Sequence, residues 1–175
     1  MIDDSTIWSR PALSAHDSLG TRVRSARHRT DALRVEPTTK RVWVVFAGVM
    51  LADSRRALCM LEPAHPPVYY FPPEDVRHER LTPSNLHTWR ESLGVVSYLD
   101  AQVGDRVARD AAWYYATPAS GYQALAGCIA FYPDKMDACY VDGERVWTQT
   151  GDFSGGWITS ELDKPSRERR DARGW

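Results

Sequence analysis

The sequence lacks the features that mark membrane, secreted and nucleic-acid-binding proteins. No apolar run approaches the roughly 20 residues that span a bilayer. The first residues, MIDDSTIWSRPALSAHDSLG, contain neither the basic nor the apolar region of a secretory signal. The net charge of −1 provides no long-range field to attract polyanions. We therefore expect no membrane partner and no nucleic-acid partner.

Cysteine and histidine are too few and too scattered to indicate a disulfide framework or a metal centre. The three cysteines include no C-x-x-C pair, and each lies among apolar neighbours, which predicts buried thiols in a reducing cytoplasm. The five histidines include no pair with ligand spacing on one predicted element. No nucleophile-elbow motif is present. We expect a cytoplasmic protein without a metal or another cofactor.

Aromatic residues are, by contrast, frequent. Seven Trp, eight Tyr and four Phe make up 11% of the chain, and most of them follow residue 40. Aromatic side chains bury a large area and, in Tyr and Trp, carry a polar group. They suit a β core and the wall of a pocket equally well, so their number alone does not decide between the two.

The chain is long enough for one domain, which we place at residues 35–175, after an N-terminal extension at residues 1–34. The segment 21–34 contains five arginines against one acid. It is either a basic arm for an acidic partner or, as we favour, a partly flexible extension on the surface.

From residue 41 onward, short runs rich in β-branched and aromatic residues alternate with turn signals. Gly48 and the dipeptides Gly104-Asp105 and Asp142-Gly143 predict hairpin turns. A further hairpin is predicted around residues 133–135, a loop at residues 82–93 and one short helix at residues 122–126. We predict roughly seven to nine strands in a single mainly-β domain, a β-barrel or sandwich of short antiparallel hairpins.

The segment PPVYYFPPEDVRHER places a four-residue strand between two proline pairs. Proline cannot donate a ladder hydrogen bond, so we predict an edge strand. Side chains alternate across a strand, which sends Tyr69 and Phe71 to one face and Val68 and Tyr70 to the other. Only one of the two tyrosines can then face a shared pocket.

Several runs taken together resemble a known bacterial family. They are RVWVVFAG…LADSRRAL, PPVYYFPPEDVR, VGDRVARDAAWYY, LAGCIAFYPDKMDACYVDG and FSGGWITSEL…GW. In this order and spacing, from about residue 33 to 175, they resemble the domain of unknown function 427. The resemblance implies a mainly-β, cytosolic, cofactor-poor protein whose general function is not established. A nucleotidyltransferase label sometimes attached to the family lacks support here, because no Gly-Ser loop with paired aspartates is present.

One segment departs from the family pattern. The family usually carries a His-Cys-Pro-x-Lys-Gly-like run before the Ser-Tyr of its central hairpin. Here Arg90 occupies the cysteine position and Leu93 the lysine position, while Gly94 remains and Tyr98 follows. The departure suggests either a specialised branch with a different charge pattern or a non-catalytic one.

Glu74 and Asp75, after the proline-bracketed strand, are the candidate proton acceptors. A carboxylate two to four residues from a histidine, here His78, can orient it for general base catalysis. The alternative, which we favour for His78, is a turn after Pro73 in which Asp75 caps backbone N–H groups and the imidazole is in water.

Asp137 is the second candidate acidic group. In the predicted strand it shares a face with Cys139 and Val141, where an unpaired carboxylate would be costly to bury. A ligand-holding interior and a hydrogen bond to the neighbouring turn explain it equally well.

The remaining candidates are an anion-binding arginine, hydroxyl donors and aromatic walls. We assign Arg90 to anion binding and Tyr98 and Tyr115 to hydrogen-bond donation in catalysis. Such aromatic residues are more often part of a β core, and an arginine in a turn is more often solvated. The candidate substrate-binding residues are Tyr69, Tyr70, Trp113, Arg55 and Trp157.

These residues predict a cofactor-independent enzyme that isomerises, cyclises or dehydrates a small metabolite by acid–base catalysis, for example in natural-product biosynthesis. The alternative is a non-catalytic module that binds a metabolite or a protein. The expected partner is a small-molecule substrate or ligand, and homodimer formation stays open.

Overall fold

The computed structural model describes residues 32–148 and 155–161. They form eleven β-strands in two antiparallel sheets, and the helical elements in this part of the chain are four short 3₁₀ turns. The mainly-β prediction is confirmed, and the arrangement is a sandwich rather than a closed barrel. No helix in the described ranges is long and apolar enough to cross a membrane. The strands are β1 (Arg34–Pro37), β2 (Val42–Phe46), β3 (Val49–Ser54), β4 (Leu58–Leu61), β5 (Val68–Phe71), β6 (Leu81–Arg90), β7 (Gly94–Val103), β8 (Arg106–Tyr114), β9 (Ile129–Phe131), β10 (Ala138–Val141) and β11 (Glu144–Arg145).

The larger sheet has seven strands in the order β1-β4-β5-β9-β8-β7-β6, and the smaller has four in the order β11-β10-β2-β3. One face of the larger sheet, here called the inner face, packs against the smaller sheet. Apolar residues from both sheets, such as Val44 and Leu51 from the smaller and Phe71 and Phe131 from the larger, form one buried cluster between them. We call the opposite face of the seven-stranded sheet the outer face.

Strand β5 lies inside the larger sheet, so the prediction of an edge strand is wrong. It pairs with β4 on one side and with β9 on the other, and all four of its residues are buried. The physical reason is the position of the prolines. They flank the strand and lie outside it, so no ladder N–H is lost within the four residues.

The alternation predicted for β5 is confirmed. Tyr69 and Phe71 belong to the cluster between the sheets, and Val68 and Tyr70 belong to a second cluster on the outer face. The two adjacent tyrosines therefore lie in two different clusters, one on each face of the sheet.

Two other predictions are wrong. The hairpin predicted around residues 133–135 does not form, because β9 and β10 belong to different sheets and the 3₁₀ turn Pro133–Lys135 joins them. The loop predicted at residues 82–93 is largely strand β6. This strand forms the edge of the sheet and has a register irregularity between Pro83 and His87, features that tolerate a proline and turn-forming residues.

The remaining local predictions have mixed outcomes. The turns at Gly48, Gly104-Asp105 and Asp142-Gly143 join β2–β3, β7–β8 and β10–β11 as hairpins. The short helix predicted at residues 122–126 is a single 3₁₀ turn, Gln123–Leu125. The predicted extension up to residue 31 and the charged tail after residue 161 lie outside the described residues.

Candidate functional site

A cavity of about 300 Å³ opens on the outer face of the seven-stranded sheet. Its walls combine aromatic side chains with a small group of charged ones. The aromatic lining residues are Trp89, Tyr98, Trp113, Tyr115 and Tyr132. The titratable or charged lining residues are Glu62, His65 and Arg90. Five of the eleven sequence-predicted residues belong to this outer-face site: Arg90, Tyr98, Trp113 and Tyr115 line it, and Tyr70 lies behind it.

The strand geometry explains why these side chains meet. Trp113 and Tyr115 are two residues apart at the end of β8, so both point to the outer face. Tyr98 of β7 is the cross-strand partner of Trp113. Arg90 is the last residue of β6 and pairs with Gly94 at the start of β7, which brings its side chain to the same face.

Tyr70 supports the cavity from behind. The indole Nε1 of Trp113 donates a hydrogen bond to the Tyr70 hydroxyl at 3.2 Å, and both residues are buried. The Tyr70 and Tyr115 ring centroids are 6.2 Å apart, and those of Trp113 and Tyr132 are 4.3 Å apart. These contacts hold the aromatic walls in one arrangement.

Gly155 also supports Trp113. Its backbone adopts φ of +69°, and a Cβ at this position would overlap the indole ring of Trp113. Glycine is needed here both for the backbone conformation and for the close approach. Phe153, in the same FSGGWITSEL run, lies outside the described residues.

The buried tyrosines are neutral hydrogen-bonding groups at physiological pH. Burial raises the pKa of Tyr70, of Tyr132 and of Tyr115, although in Tyr115 the neighbouring Arg90 guanidinium opposes the effect. The Tyr98 hydroxyl is within hydrogen-bond distance of Thr88 Oγ1, at 3.1 Å. These hydroxyls are therefore suited to donate hydrogen bonds to a carbonyl or ether oxygen.

Arg90 and Glu62 form the charged part of the site. Nη2 of Arg90 donates a hydrogen bond to Glu62 Oε2, and each side chain is 32% exposed. Burial is the largest influence on Arg90 and disfavours its charge, but the interactions with Glu62 and Tyr115 together outweigh it, so the pKa of Arg90 is raised. The guanidinium also interacts with the Tyr115 hydroxyl.

His65 completes this group through the turn that follows β4. Its Nδ1 lies 4.0 Å from Glu62 Oε2 and donates a hydrogen bond to the Pro63 carbonyl at 3.0 Å. The backbone N–H of His65 donates to the Glu62 carbonyl at 3.1 Å, which fixes the turn. A carboxylate, an imidazole and a guanidinium therefore share one cavity with five aromatic side chains.

Glu74 and Asp75 lie outside this cavity. Nε and Nη2 of Arg56 donate to the two oxygens of Asp75 at 3.1 and 3.0 Å, and Ser54 Oγ donates to it at 2.7 Å. The Arg56 guanidinium holds the pKa of Asp75 below its usual value, with a further contribution from Ser54. Glu74 is mostly exposed and lies 3.5 Å from Arg56. A carboxylate held in this way is a weak proton acceptor.

Asp137 lies near the other sheet. It accepts hydrogen bonds from Arg106 at 2.8 and 3.1 Å and from the backbone N–H of Ala47 at 2.6 Å. Arg106 holds the pKa of Asp137 below its usual value, and the bond from Ala47 adds to the effect. Ala47 has a positive φ of 48°, so this bond stabilises the tight β2–β3 turn.

The last three predicted residues also lie elsewhere. Tyr69 and Trp157 pack edge-to-face between the sheets, 5.2 Å apart, and Trp157 Nε1 donates to the Phe131 carbonyl at 3.3 Å. Arg55 borders a shallow, open depression beside Trp43 on the smaller sheet.

Six lining residues are not predicted from the sequence: Glu62, His65, Thr88, Trp89, Val96 and Tyr132. Glu62 and His65 come from the β4–β5 connection, and they reach Arg90 only because the sheet folds back on itself. Nothing in the local pattern signals this contact. Tyr132 directly follows β9 and lies two residues after Ala130 of the outer-face cluster, so strand alternation gives its direction.

No metal centre is apparent in residues 32–148 and 155–161, where no group of three His, Cys, Asp or Glu side chains is placed to hold a metal ion. Comparison with protein families gives one match, a domain of unknown function (DUF427), over residues 34–142. No curated protein matches the chain. The family match includes strands β1 to β10 and every residue that lines the outer-face cavity.

Proposed function

The chain belongs to the DUF427 family, whose description assigns no reaction, and we propose that it is a cofactor-independent enzyme that moves a proton on a small organic substrate. The observation that carries the proposal is the outer-face cavity, in which Glu62 and His65 lie beside Arg90 and an aromatic wall. A carboxylate close to an imidazole is an arrangement that general acid–base catalysis uses.

The size and lining of the cavity favour a small, planar ligand. At about 300 Å³ it is at the lower end of the range for ligand pockets, enough for a single-ring molecule. Trp89, which is 70% exposed, offers a ring face for stacking, and the Tyr98 and Tyr115 hydroxyls offer hydrogen bonds to a substrate carbonyl.

The proposed roles follow from these positions. Glu62, or His65 beside it, accepts a proton from the substrate, and Arg90 stabilises negative charge that develops on it. Glu74 and Asp75 are replaced as proton acceptors, because they lie outside the cavity and Arg56 binds them. Isomerisation, cyclisation and dehydration all need such a transfer.

The second candidate is a non-catalytic binding module. The observation that favours it is the ion pair between Glu62 and Arg90, which occupies the carboxylate that an enzyme would use as its proton acceptor. A binding protein would use the same aromatic walls without needing Glu62 to take up a proton.

Turnover measurements on pocket variants separate the two candidates. A panel of small phenols, carbonyl compounds and carboxylic acids is followed by NMR with the wild type, Glu62→Gln and His65→Asn. An enzyme should lose about 10² to 10⁴ in kcat in at least one of these variants, with unchanged circular dichroism. A binding module should turn over no compound and should show graded changes in Kd.

Glu74→Gln and His78→Asn are the matched controls, because they make the same chemical changes outside the cavity. Both should keep wild-type turnover. If Glu74→Gln lowers kcat as much as Glu62→Gln, or if neither pocket variant changes the turnover found, the assignment of the outer-face cavity as the active site is wrong.

A further inference from the structure

Three of the four arginine–aspartate pairs in the described residues have a common geometry. In these three the guanidinium donates through two nitrogens to the carboxylate, at distances between 2.6 and 3.1 Å. Such two-donor pairs occupy the flat edge of the guanidinium and leave little of it for a ligand. The pairs are Arg41–Asp53, Arg56–Asp75 and Arg106–Asp137.

Arg90 departs from this geometry. It contacts Glu62 through Nη2 alone, although its side chain is half-buried and lines the aromatic cavity. Arg109 also makes a single contact, with Asp100, but the Arg109 side chain is 79% exposed and lines no described cavity. Arg90 is therefore the arginine that combines a partly used guanidinium with an enclosed site.

The other donors of Arg90 are not buried without a partner, and the side chain lines the cavity. Throughout the described ranges, the one buried side-chain nitrogen or oxygen without a hydrogen-bond partner is Arg80 Nε. The remaining N–H groups of Arg90 are thus either exposed to the cavity and solvent or directed to the Tyr115 hydroxyl. A planar two-oxygen group entering the cavity can reach a pair of them.

We propose that the outer-face cavity recognises a small planar carboxylate, which binds Arg90 through two donors and displaces Glu62 from it. This inference rests on the proposed function and names its substrate class. Glu62 already presents a carboxylate to this guanidinium, so the site is complementary to that group. Arg90 is the one Lys or Arg side chain among the described lining residues, which favours a singly charged carboxylate over a phosphate dianion.

The test is a titration of benzoate and of its neutral analogue benzamide, followed by tryptophan fluorescence and by calorimetry. The wild type should bind benzoate about ten- to a hundredfold more tightly than benzamide, the range expected for hydrogen bonds to a charged group. Arg90→Gln should remove this preference while keeping benzamide binding. Glu62→Gln should bind benzoate more tightly than the wild type, because the competing carboxylate is gone.

Arg90→Lys keeps the charge without the two-donor edge and should bind benzoate with intermediate affinity. Arg56→Gln is the control outside the cavity and should leave both affinities unchanged. Thermal melts show which variants are folded, and Glu62→Gln and Arg90→Lys keep the test decisive if Arg90→Gln is unstable.

The outcomes separate the two proposals. If benzamide binds the wild type as tightly as benzoate and occupies the cavity, the carboxylate inference is wrong and the proposed active site stands. If Glu62→Gln weakens benzoate binding, displacement of Glu62 is wrong. If neither compound binds, or if Trp113→Ala leaves binding intact, both the inference and the proposed function fail.

Discussion

The inner and outer faces of the seven-stranded sheet are both rich in aromatic residues, yet they differ in what covers them. On the inner face, Tyr69, Phe71 and Trp157 are enclosed by the smaller sheet among apolar neighbours. On the outer face, Tyr70 and Trp113 are equally buried, but the cluster ends in an open cavity with charged side chains.

The comparison shows that aromatic content does not by itself mark a binding site. Tyr69 and Tyr70 are adjacent in one strand, but Tyr69 lies on the inner face and Tyr70 on the outer face. What distinguishes the faces is whether a second layer completes the packing. Where no second layer covers the sheet, the aromatic side chains form the wall of a pocket.

The largest expected effect is the loss of Trp157. The side chain is fully buried between the sheets, so Trp157→Ala should lower the free energy of unfolding by about 3–5 kcal/mol. Trp89→Ala at the mouth of the outer-face cavity, where the side chain is 70% exposed, should change it by less than about 0.5 kcal/mol. Urea denaturation measures both values.

In ligand binding the order should be reversed, with the larger effect in Trp89→Ala. Trp89→Ala should weaken binding to the outer-face cavity, because it removes part of the wall. A stability loss of similar size in both variants would mean that the outer face is a structural core like the inner one. The distinction between the faces would then be wrong.

Much of this comparison could be predicted from the sequence, because it depends on local periodicity. The period of two in VYYF separates Tyr69 from Tyr70, and the same period places Trp113 and Tyr115 together. Hairpin turns at glycine positions were predictable for the same reason, since a positive φ is a local requirement.

The charged part of the site could not be predicted in this way. Glu62 and Arg90 are 28 residues apart, and they meet although β5, β9, β8 and β7 separate β4 from β6 in the strand order. That order depends on long-range packing, which no local pattern records. The sequence of β6 predicts a loop, because an edge strand can carry proline and polar residues that elsewhere indicate turns.

Removing the hydroxyl group of Tyr69 or of Tyr70 compares the two faces of the sheet at adjacent positions. Tyr70→Phe leaves the buried Nε1–H of Trp113 without its acceptor, which should cost about 1–3 kcal/mol in the free energy of unfolding. Tyr69→Phe removes a hydroxyl whose neighbour is the thiol of Cys59, a weak partner, and should cost less.

Ligand affinity provides the second readout for this pair. Tyr70→Phe should also weaken binding in the outer-face cavity, because Trp113 forms its wall, whereas Tyr69→Phe should leave affinity unchanged. Equal effects of the two variants on affinity would show that the sheet transmits changes between its faces and that the two environments are not independent.

The smallest expected effect concerns Asp75, whose ion pair with Arg56 lies outside both aromatic clusters. The pKa of Asp75 is lower in the folded chain, because Arg56 and Ser54 stabilise the ionised form. The ionised carboxylate therefore stabilises the fold above about pH 4, and this contribution is lost as the pH falls through the lowered value. Arg56 is 62% exposed, so solvent screens the pair and limits the effect.

Asp75→Asn should accordingly destabilise the protein at pH 7 and differ less from the wild type below about pH 4. Urea denaturation at several pH values measures this difference. Asp105→Asn is the control, because Asp105 is exposed in the β7–β8 turn and makes no hydrogen bond or ion pair within the described residues. A difference for Asp75→Asn that stays constant or grows in acid would contradict the assignment of Asp75 as a structural anion. It would also return Asp75 to consideration as a proton acceptor.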